Sequence, residues 1–126
     1  MPDAPDIAPN SKRHSEGAAL ITAERLRQVN VEGWTASHDN EHDACELTMA
    51  ADGYLWHAVG QVNGVCWPEG YDSIPPNWPW HMDWWKPADD PIRNLVKAGA
   101  LIAAEIDRLL FVRAVDKIED GEGWQR

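Results

Sequence analysis

The residues best suited to chemistry lie between His38 and Glu46, where two histidines, several carboxylates and a cysteine fall within nine positions. The segment His38–His42 has the spacing H-x-x-E-H, in which two histidines one helical turn apart hold zinc and the glutamate activates a water. A looser site would combine both histidines with Glu46, or with Glu105 from another helix, and such donors suit zinc, manganese or iron. The alternative is that the histidines pack under aromatic side chains and bind no metal.

Tryptophan is the second unusual feature, with eight tryptophans against one phenylalanine. Five of them occur close together in a proline-rich segment: Trp67, Trp78, Trp80, Trp84 and Trp85. Flat rings on such a scaffold form stacking surfaces for a purine or another planar group, and Lys86, Arg93 or the histidines would meet a phosphate. The alternative is that these rings only fasten the helices together.

These two features together predict one binding site. The residues expected to contact a ligand are His38, His42, Glu46, Trp56, Trp78, Trp80, Trp84, Trp85, Lys86 and Arg93. A metal, if one binds, is expected at His38, His42 and Glu46, with zinc or manganese as the candidates. No catalytic residue is assigned, and no cofactor is expected.

Three helices are predicted to position these residues. The first is capped by Thr22 and stops at Gly33, and the second is capped by Ser37 and runs to about Gly60. In the second helix, a periodicity of 100° per residue separates an apolar face from the face that bears the histidines. The apolar side carries Leu47, Ala51, Tyr54 and Ala58, and the opposite side carries His38, His42, Cys45, Met49 and Trp56.

The third helix is the most regular element of the chain. Asp90 is its predicted N-cap, Pro91 occupies its first position, and apolar residues follow at three- and four-residue spacing as far as Leu110. The helix is expected to continue through Val115. The segment of residues 61–91 contains too many prolines to be helical, and its tryptophans favour an ordered loop that lies across the helices.

The predicted fold is therefore mainly α, with three principal helices and a long ordered Trp/Pro-rich loop packed across them. Residues 1–17 are expected to be a disordered arm, residues 18–118 a single helical domain, and residues 119–126 a frayed tail. The ligand pocket is expected between the histidine-bearing face, the loop and the start of the third helix.

Charge and cysteine content restrict the function classes. Eleven basic against twenty-one acidic side chains leave a net charge of −10, which disfavours direct binding to a nucleic-acid backbone. Two cysteines make no disulfide framework, and no apolar run is long enough to span a membrane. We therefore expect a cytoplasmic protein. An acidic surface also suits interference with a basic protein partner, by imitating DNA.

Three segments resemble a family of small proteins from tailed phages and prophages: ERLRQVNVEGWTASHDNEHDACEL, then WPW followed by WWKP, and NLVKAGALIAAEIDRL. The resemblance covers most of residues 18–110 and implies an accessory gene expressed in the cytoplasm of a bacterial host. The family pattern G-W-T-x-x-H-D-x-x-H does not require Glu41, which argues against the zinc-hydrolase interpretation. A shorter stretch, from Ile92 to Val96, is similar to ryanodine-receptor-type repeat domains, helical modules linked in prokaryotes to nucleotide-derived signals.

Our leading expectation is a non-catalytic phage accessory protein that holds a nucleotide, or a nucleotide-derived defence signal, between tryptophans and thereby serves counter-defence. Two other functions stay open. One is a metal-dependent hydrolase that uses His38 and His42, and the other is protein–protein interference with a host protein. Homo-oligomerisation through the third helix is compatible with all three.

Overall fold

The computed structural model describes residues 15–36, 45–64 and 74–119. Within these ranges the chain forms three α-helices, α1 (Glu16–Asn30), α2 (Glu46–Val62) and α3 (Pro91–Glu119), and a short 3-10 helix at Met82–Trp84. The described residues contain no strand. The prediction of a mainly helical fold with three principal helices is confirmed.

Helix α1 begins earlier than the sequence pattern indicates. Ser15 is the N-cap, and its side-chain oxygen accepts a hydrogen bond of 3.0 Å from the backbone N–H of Ala18. Thr22, the predicted cap, lies inside the helix and donates its hydroxyl hydrogen to the carbonyl of Ala18. The predicted start is wrong because Ser15 and Thr22 are both good caps, and only the earlier one begins the helix. Residues 1–14, most of the predicted arm, lie outside the described residues.

Helix α2 begins later than predicted. Its first residue is Glu46, and the preceding Cys45 has a φ of 66°, in the left-handed region that interrupts a right-handed helix. The predicted helix from Ser37 to Gly60 is therefore not continuous across Cys45. The helical periodicity that predicted the two histidines on the same face as Trp56 therefore does not continue through Cys45. Residues 37–44, which include both histidines, lie outside the described residues.

Helix α3 follows the prediction closely. Pro91 is its first residue, and a carboxylate oxygen of Asp90 accepts a hydrogen bond of 2.9 Å from the backbone N–H of Ile92. The helix continues to Glu119, past the expected Val115. At 29 residues it is the longest of the three described helices, and it packs against both α2 and α1. No described helix is both long and apolar enough to cross a membrane.

Small side chains allow α2 and α3 to approach closely. Their shared core consists of Leu47, Ala50, Ala51, Tyr54, Ala98, Leu101 and Ala104. Trp78, Trp80 and Trp85 pack against this core from residues 74–90, which we call the tryptophan loop. The expected packing of an ordered Trp-rich loop across the helices is confirmed for residues 74–90. The first two residues of the predicted loop belong to α2, and residues 65–73, which include Trp67, lie outside the described residues.

A buried polar network fixes the end of the tryptophan loop. Asn94, fully buried in α3, accepts a hydrogen bond from the backbone N–H of Ala88 and donates to the carbonyl of the same residue, both at 2.8 Å. Its amide also donates to the side chain of Gln61, at the end of α2. Because these polar groups satisfy one another away from water, the loop end is held between the two helices.

Candidate functional site

A cavity of about 630 Å³ lies between the three helices and the tryptophan loop. Its lining comes from α1 and the turn after it (Glu24, Arg27, Gln28, Glu32, Trp34), from α2 (Leu47, Tyr54), from the tryptophan loop (Trp78, Trp80, His81, Trp84, Lys86) and from α3 (Lys97, Leu101). This volume falls in the range of small-molecule sites, which is about 300–1,000 Å³. Because every helix contributes, the cavity exists only in the folded chain.

The aromatic wall of the cavity is built around Trp78. Its ring meets Trp80 edge-on at 5.5 Å and 90°, and its centroid lies 5.0 Å from that of Trp85 and 5.8 Å from that of Tyr54. The Trp78 indole N–H donates to the carbonyl of His81. Edge-to-face contacts of this kind make Trp78 a structural anchor of the wall.

The outer part of the wall is more accessible. Trp84, at the 3-10 helix, is 63% exposed although it lines the cavity. The ammonium group of Lys86 lies 5.9 Å from the centre of the Trp84 ring, within cation–π range. A ring with one accessible side and an adjacent cation offers a stacking surface to a planar anion.

Lys97 supplies a second ammonium group from α3. Its Nζ donates to the carbonyl of Lys86 at 2.7 Å and lies 5.3 Å from the centre of the Tyr54 ring. Burial, and secondarily the positive charge of Arg93, lowers the pKa of Lys97 below its ordinary value. An anion bound beside Lys97 would therefore stabilise the charged form of its ammonium group.

The α1 side of the cavity carries a buried ion-pair network. Glu24 is only 4% exposed, and its two carboxylate oxygens accept hydrogen bonds from Arg27 at 2.9 Å and from Arg93 at 2.7 Å. Burial opposes the ionisation of Glu24, but the two guanidinium groups outweigh it and lower the pKa to about 2. Arg27 also pairs with Glu32 at 2.8 Å, so this part of the lining is largely neutralised internally.

The structure brings together part of the predicted site. Four of the predicted residues line the cavity: Trp78, Trp80, Trp84 and Lys86. Trp85 lies behind them, packed on Tyr54 at 4.8 Å, and Arg93 is engaged with Glu24. Glu46, at the first position of α2, and Trp56, half-exposed on the same helix, do not line this cavity.

The sequence pattern missed the contribution of α1. Glu24, Arg27 and Gln28 are ordinary polar residues of an amphipathic helix in the sequence, and only the packing of α1 against α3 brings them to the cavity. Lys97, a lysine within the apolar stretch of α3, is likewise absent from the residues predicted from the sequence. A lysine within such a stretch was the one available signal, because burying its stem requires a nearby partner for the ammonium group.

The predicted metal site is tested only in part by the structure. Within residues 15–36, 45–64 and 74–119, no group of three or more histidine, cysteine or acidic side chains is arranged to hold a metal ion. Glu105, the alternative carboxylate ligand, accepts hydrogen bonds from the buried guanidinium of Arg108. His38 and His42 lie outside the described residues, so a site centred on them stays a prediction.

Comparison of the chain with protein-family models, with curated proteins and with solved structures found no match. The chemistry of the cavity lining is therefore the basis for assigning a function. Apart from the ion pairs of Arg27, its lining offers indole rings and two ammonium groups, and these can bind a planar anion without a covalent bond.

Proposed function

We propose that the protein binds a small planar anion, a nucleotide or a nucleotide-derived signal, in the cavity under the tryptophan loop. The observation that carries this proposal is the presence of Trp80, Trp84, Lys86 and Lys97 in the lining of one cavity. The indoles supply faces for a base, and the two ammonium groups supply charge for a phosphate.

The charge of the lining supports an anionic ligand. The lining contains three strongly basic side chains, Arg27, Lys86 and Lys97, and two carboxylates, so its net charge is +1. The whole chain, by contrast, has a net charge of −10. Because Arg27 is paired with both Glu24 and Glu32, the two lysines are the cations that a ligand would meet. The cavity is thus a locally basic site in an acidic protein, and such a site attracts anions.

The division of roles among the aromatic residues also supports the proposal. Trp78 and Trp85 pack against Tyr54 and the core, so they shape the wall. Trp84 is 63% exposed beside the cavity, whereas a tryptophan that serves only in packing is usually far more buried. Stacking of a base on this ring would bury that surface.

The biological setting that we propose follows from the resemblance to small tailed-phage proteins. A phage accessory protein that holds a nucleotide-derived defence signal would lower the free concentration of that signal in the host cytoplasm. Such sequestration is a non-catalytic form of counter-defence, and it requires only affinity and sufficient protein.

Isothermal titration calorimetry with AMP and with cyclic di-AMP tests the proposal directly. Replacing Trp84 by Ala should weaken binding about 5- to 150-fold, because stacking of one base on an aromatic ring contributes about 1–3 kcal/mol. Trp56→Ala is the matched control, since Trp56 is also a half-exposed tryptophan but does not line the cavity. It should leave the affinity unchanged.

A second variant distinguishes the contribution of the phosphate to binding from that of the base. Lys97→Met removes the ammonium group and retains most of the side-chain stem, so it should weaken AMP binding and leave the weaker binding of adenosine unchanged. Equal affinities in the wild-type protein and in Trp84→Ala, or no heat of binding with either nucleotide, would contradict the proposal.

A further inference from the structure

Helix α3 carries a continuous row of exposed aliphatic side chains that contributes nothing to the core. We call it the α3 stripe, and it consists of Ile92 (59% exposed), Leu95 (43%), Ile102 (45%), Ile106 (52%) and Leu109 (41%). The intervals between successive members are three, seven, four and three residues, and Gly99, which α1 covers, lies within the seven-residue interval. This is the heptad spacing by which one helix packs along another helix.

The other two sides of α3 are already occupied. Its core residues, such as Leu101, face α2, and α1 approaches at Gly99, where an added Cβ would lie 2.6 Å from Cδ1 of Ile21. On the α1 side, Arg25 also forms an ion pair with Asp107. The stripe therefore lies mainly on a third side of the helix, with α1 at its edge beside Gly99, and it extends over about 26 Å from Ile92 to Leu109. A soluble monomer rarely leaves so long an apolar row in water.

We propose that the α3 stripe is the interface with a second copy of this chain, with the two α3 helices side by side and antiparallel. This inference does not depend on ligand binding. A two-fold axis near Ile102 would place Leu95 of each copy opposite Leu109 of the other. Such an interface is isologous, so one row of side chains satisfies both partners.

Charge decides between the two orientations. The N-terminal end of the stripe follows Asp89 and Asp90, both exposed, whereas its C-terminal end has mixed charge. The exposed charged residues at that end are Arg113, Asp116, Lys117 and Glu119. A parallel pair would bring the aspartates of the two copies together. An antiparallel pair avoids this contact and places the mixed-charge end, with Arg113 and Lys117, beside the aspartates of the other copy. It also sets the helix dipoles antiparallel, which is the favourable arrangement. The heptad spacing and this complementarity identify a second copy as the occupant.

Sedimentation equilibrium of the full chain tests the association. The wild-type protein should be dimeric at micromolar concentration, and Ile106→Asp should raise the dissociation constant at least about tenfold, because a carboxylate would be buried in the interface. Leu20→Asp is the matched control, since Leu20 is 48% exposed on α1 and lies off the stripe. Circular dichroism of both variants reports whether the helices stay folded.

Cysteine cross-linking tests the orientation, in a background with Cys45→Ser and Cys66→Ser. Ile102→Cys should form a disulfide-linked dimer under mild oxidation, as should a mixture of Leu95→Cys and Leu109→Cys chains. Leu95→Cys alone should not. A monomeric wild-type protein at micromolar concentration would overturn the proposal, and so would efficient cross-linking of Leu95→Cys alone, which requires a parallel pair.

Discussion

At the scale of single residues, Glu24 has the most perturbed environment among the described carboxylates. It is buried beside the cavity and held by Arg27 and Arg93, and its pKa is lowered to about 2. A carboxylate in this position joins α1 to α3, because Arg93 belongs to α3. The same pairing leaves the cavity lysines as the cations that would face the proposed ligand.

Glu24→Gln should therefore destabilise the protein in a pH-dependent way. The folded-state pKa of about 2 is below the ordinary glutamate pKa of 4.5, so the stabilisation by ionised Glu24 is fully present above pH 4.5 and is lost as the pH falls toward 2. At neutral pH the difference in the free energy of unfolding should be on the order of 3 kcal/mol. Urea unfolding of both proteins between pH 2 and 7 measures it.

Glu32→Gln is the matched control for this experiment. Glu32 also pairs with Arg27, but its side chain is 41% exposed, so the loss should be at most about 1 kcal/mol. If the Glu24→Gln difference stays constant from neutral to acidic pH, the ionisation of Glu24 is not what stabilises the fold.

At the scale of elements, the seating of the tryptophan loop on α2 depends on a glycine. A Cβ at Gly53 would lie 2.9 Å from Cγ of Pro75 and 3.3 Å from Cε3 of Trp78. Both atoms belong to rings, which cannot turn aside as a flexible side chain can. Gly53 is therefore a point of close approach between the loop and the helix, and the aromatic wall of the cavity depends on it.

Gly53→Ala should displace the tryptophan loop. Overpacking of this kind costs about 1–3 kcal/mol, which exceeds the gain of about 1 kcal/mol that alanine brings to a helix interior. The free energy of unfolding should fall, and proteolysis within residues 74–90 should become faster. Gly17→Ala is the control, because the nearest atom to its added Cβ is 4.0 Å away. That variant should be as stable as the wild type or more stable, and a stabilising Gly53→Ala would refute the proposed close packing.

At the scale of the whole molecule, the net charge of −10 opposes the association proposed for α3. Two copies repel each other over their full surfaces, whereas the complementary charges act only at the ends of the stripe. Repulsion between exposed charges is screened at a Debye length of about 10 Å in 0.1 M salt, and apolar contact is not screened. The balance between these two terms depends on ionic strength.

Dimerisation should therefore become stronger as salt is added. Raising sodium chloride from about 50 mM to about 500 mM should lower the dissociation constant several-fold, as measured by sedimentation equilibrium. The Leu20→Asp control should show the same trend. A dimer that dissociates in high salt would mean that ion pairs, and not the α3 stripe, hold the two copies together.

The sequence by itself determined the helical class, the start of α3 and the ordering of the tryptophan loop. These features follow from local chemistry, because Asp90 and Pro91 can act as cap and first residue in any tertiary context. The burial of several indoles likewise required a loop packed on helices. The same local rules failed at Thr22, because Ser15 is also a good N-cap and begins the helix earlier. They also failed at Cys45, because its left-handed backbone conformation interrupts the predicted helix.

Only the tertiary structure decided which residues share the cavity. The aromatic half was predictable because Trp78, Trp80 and Trp84 lie close together in the sequence, whereas Glu24 and Lys97 are more than seventy residues apart. They meet because α1 packs on α3, and that packing depends on Gly99 accepting Ile21. Contacts between distant helices are set by the shapes of both surfaces at once, which no local pattern in the sequence encodes.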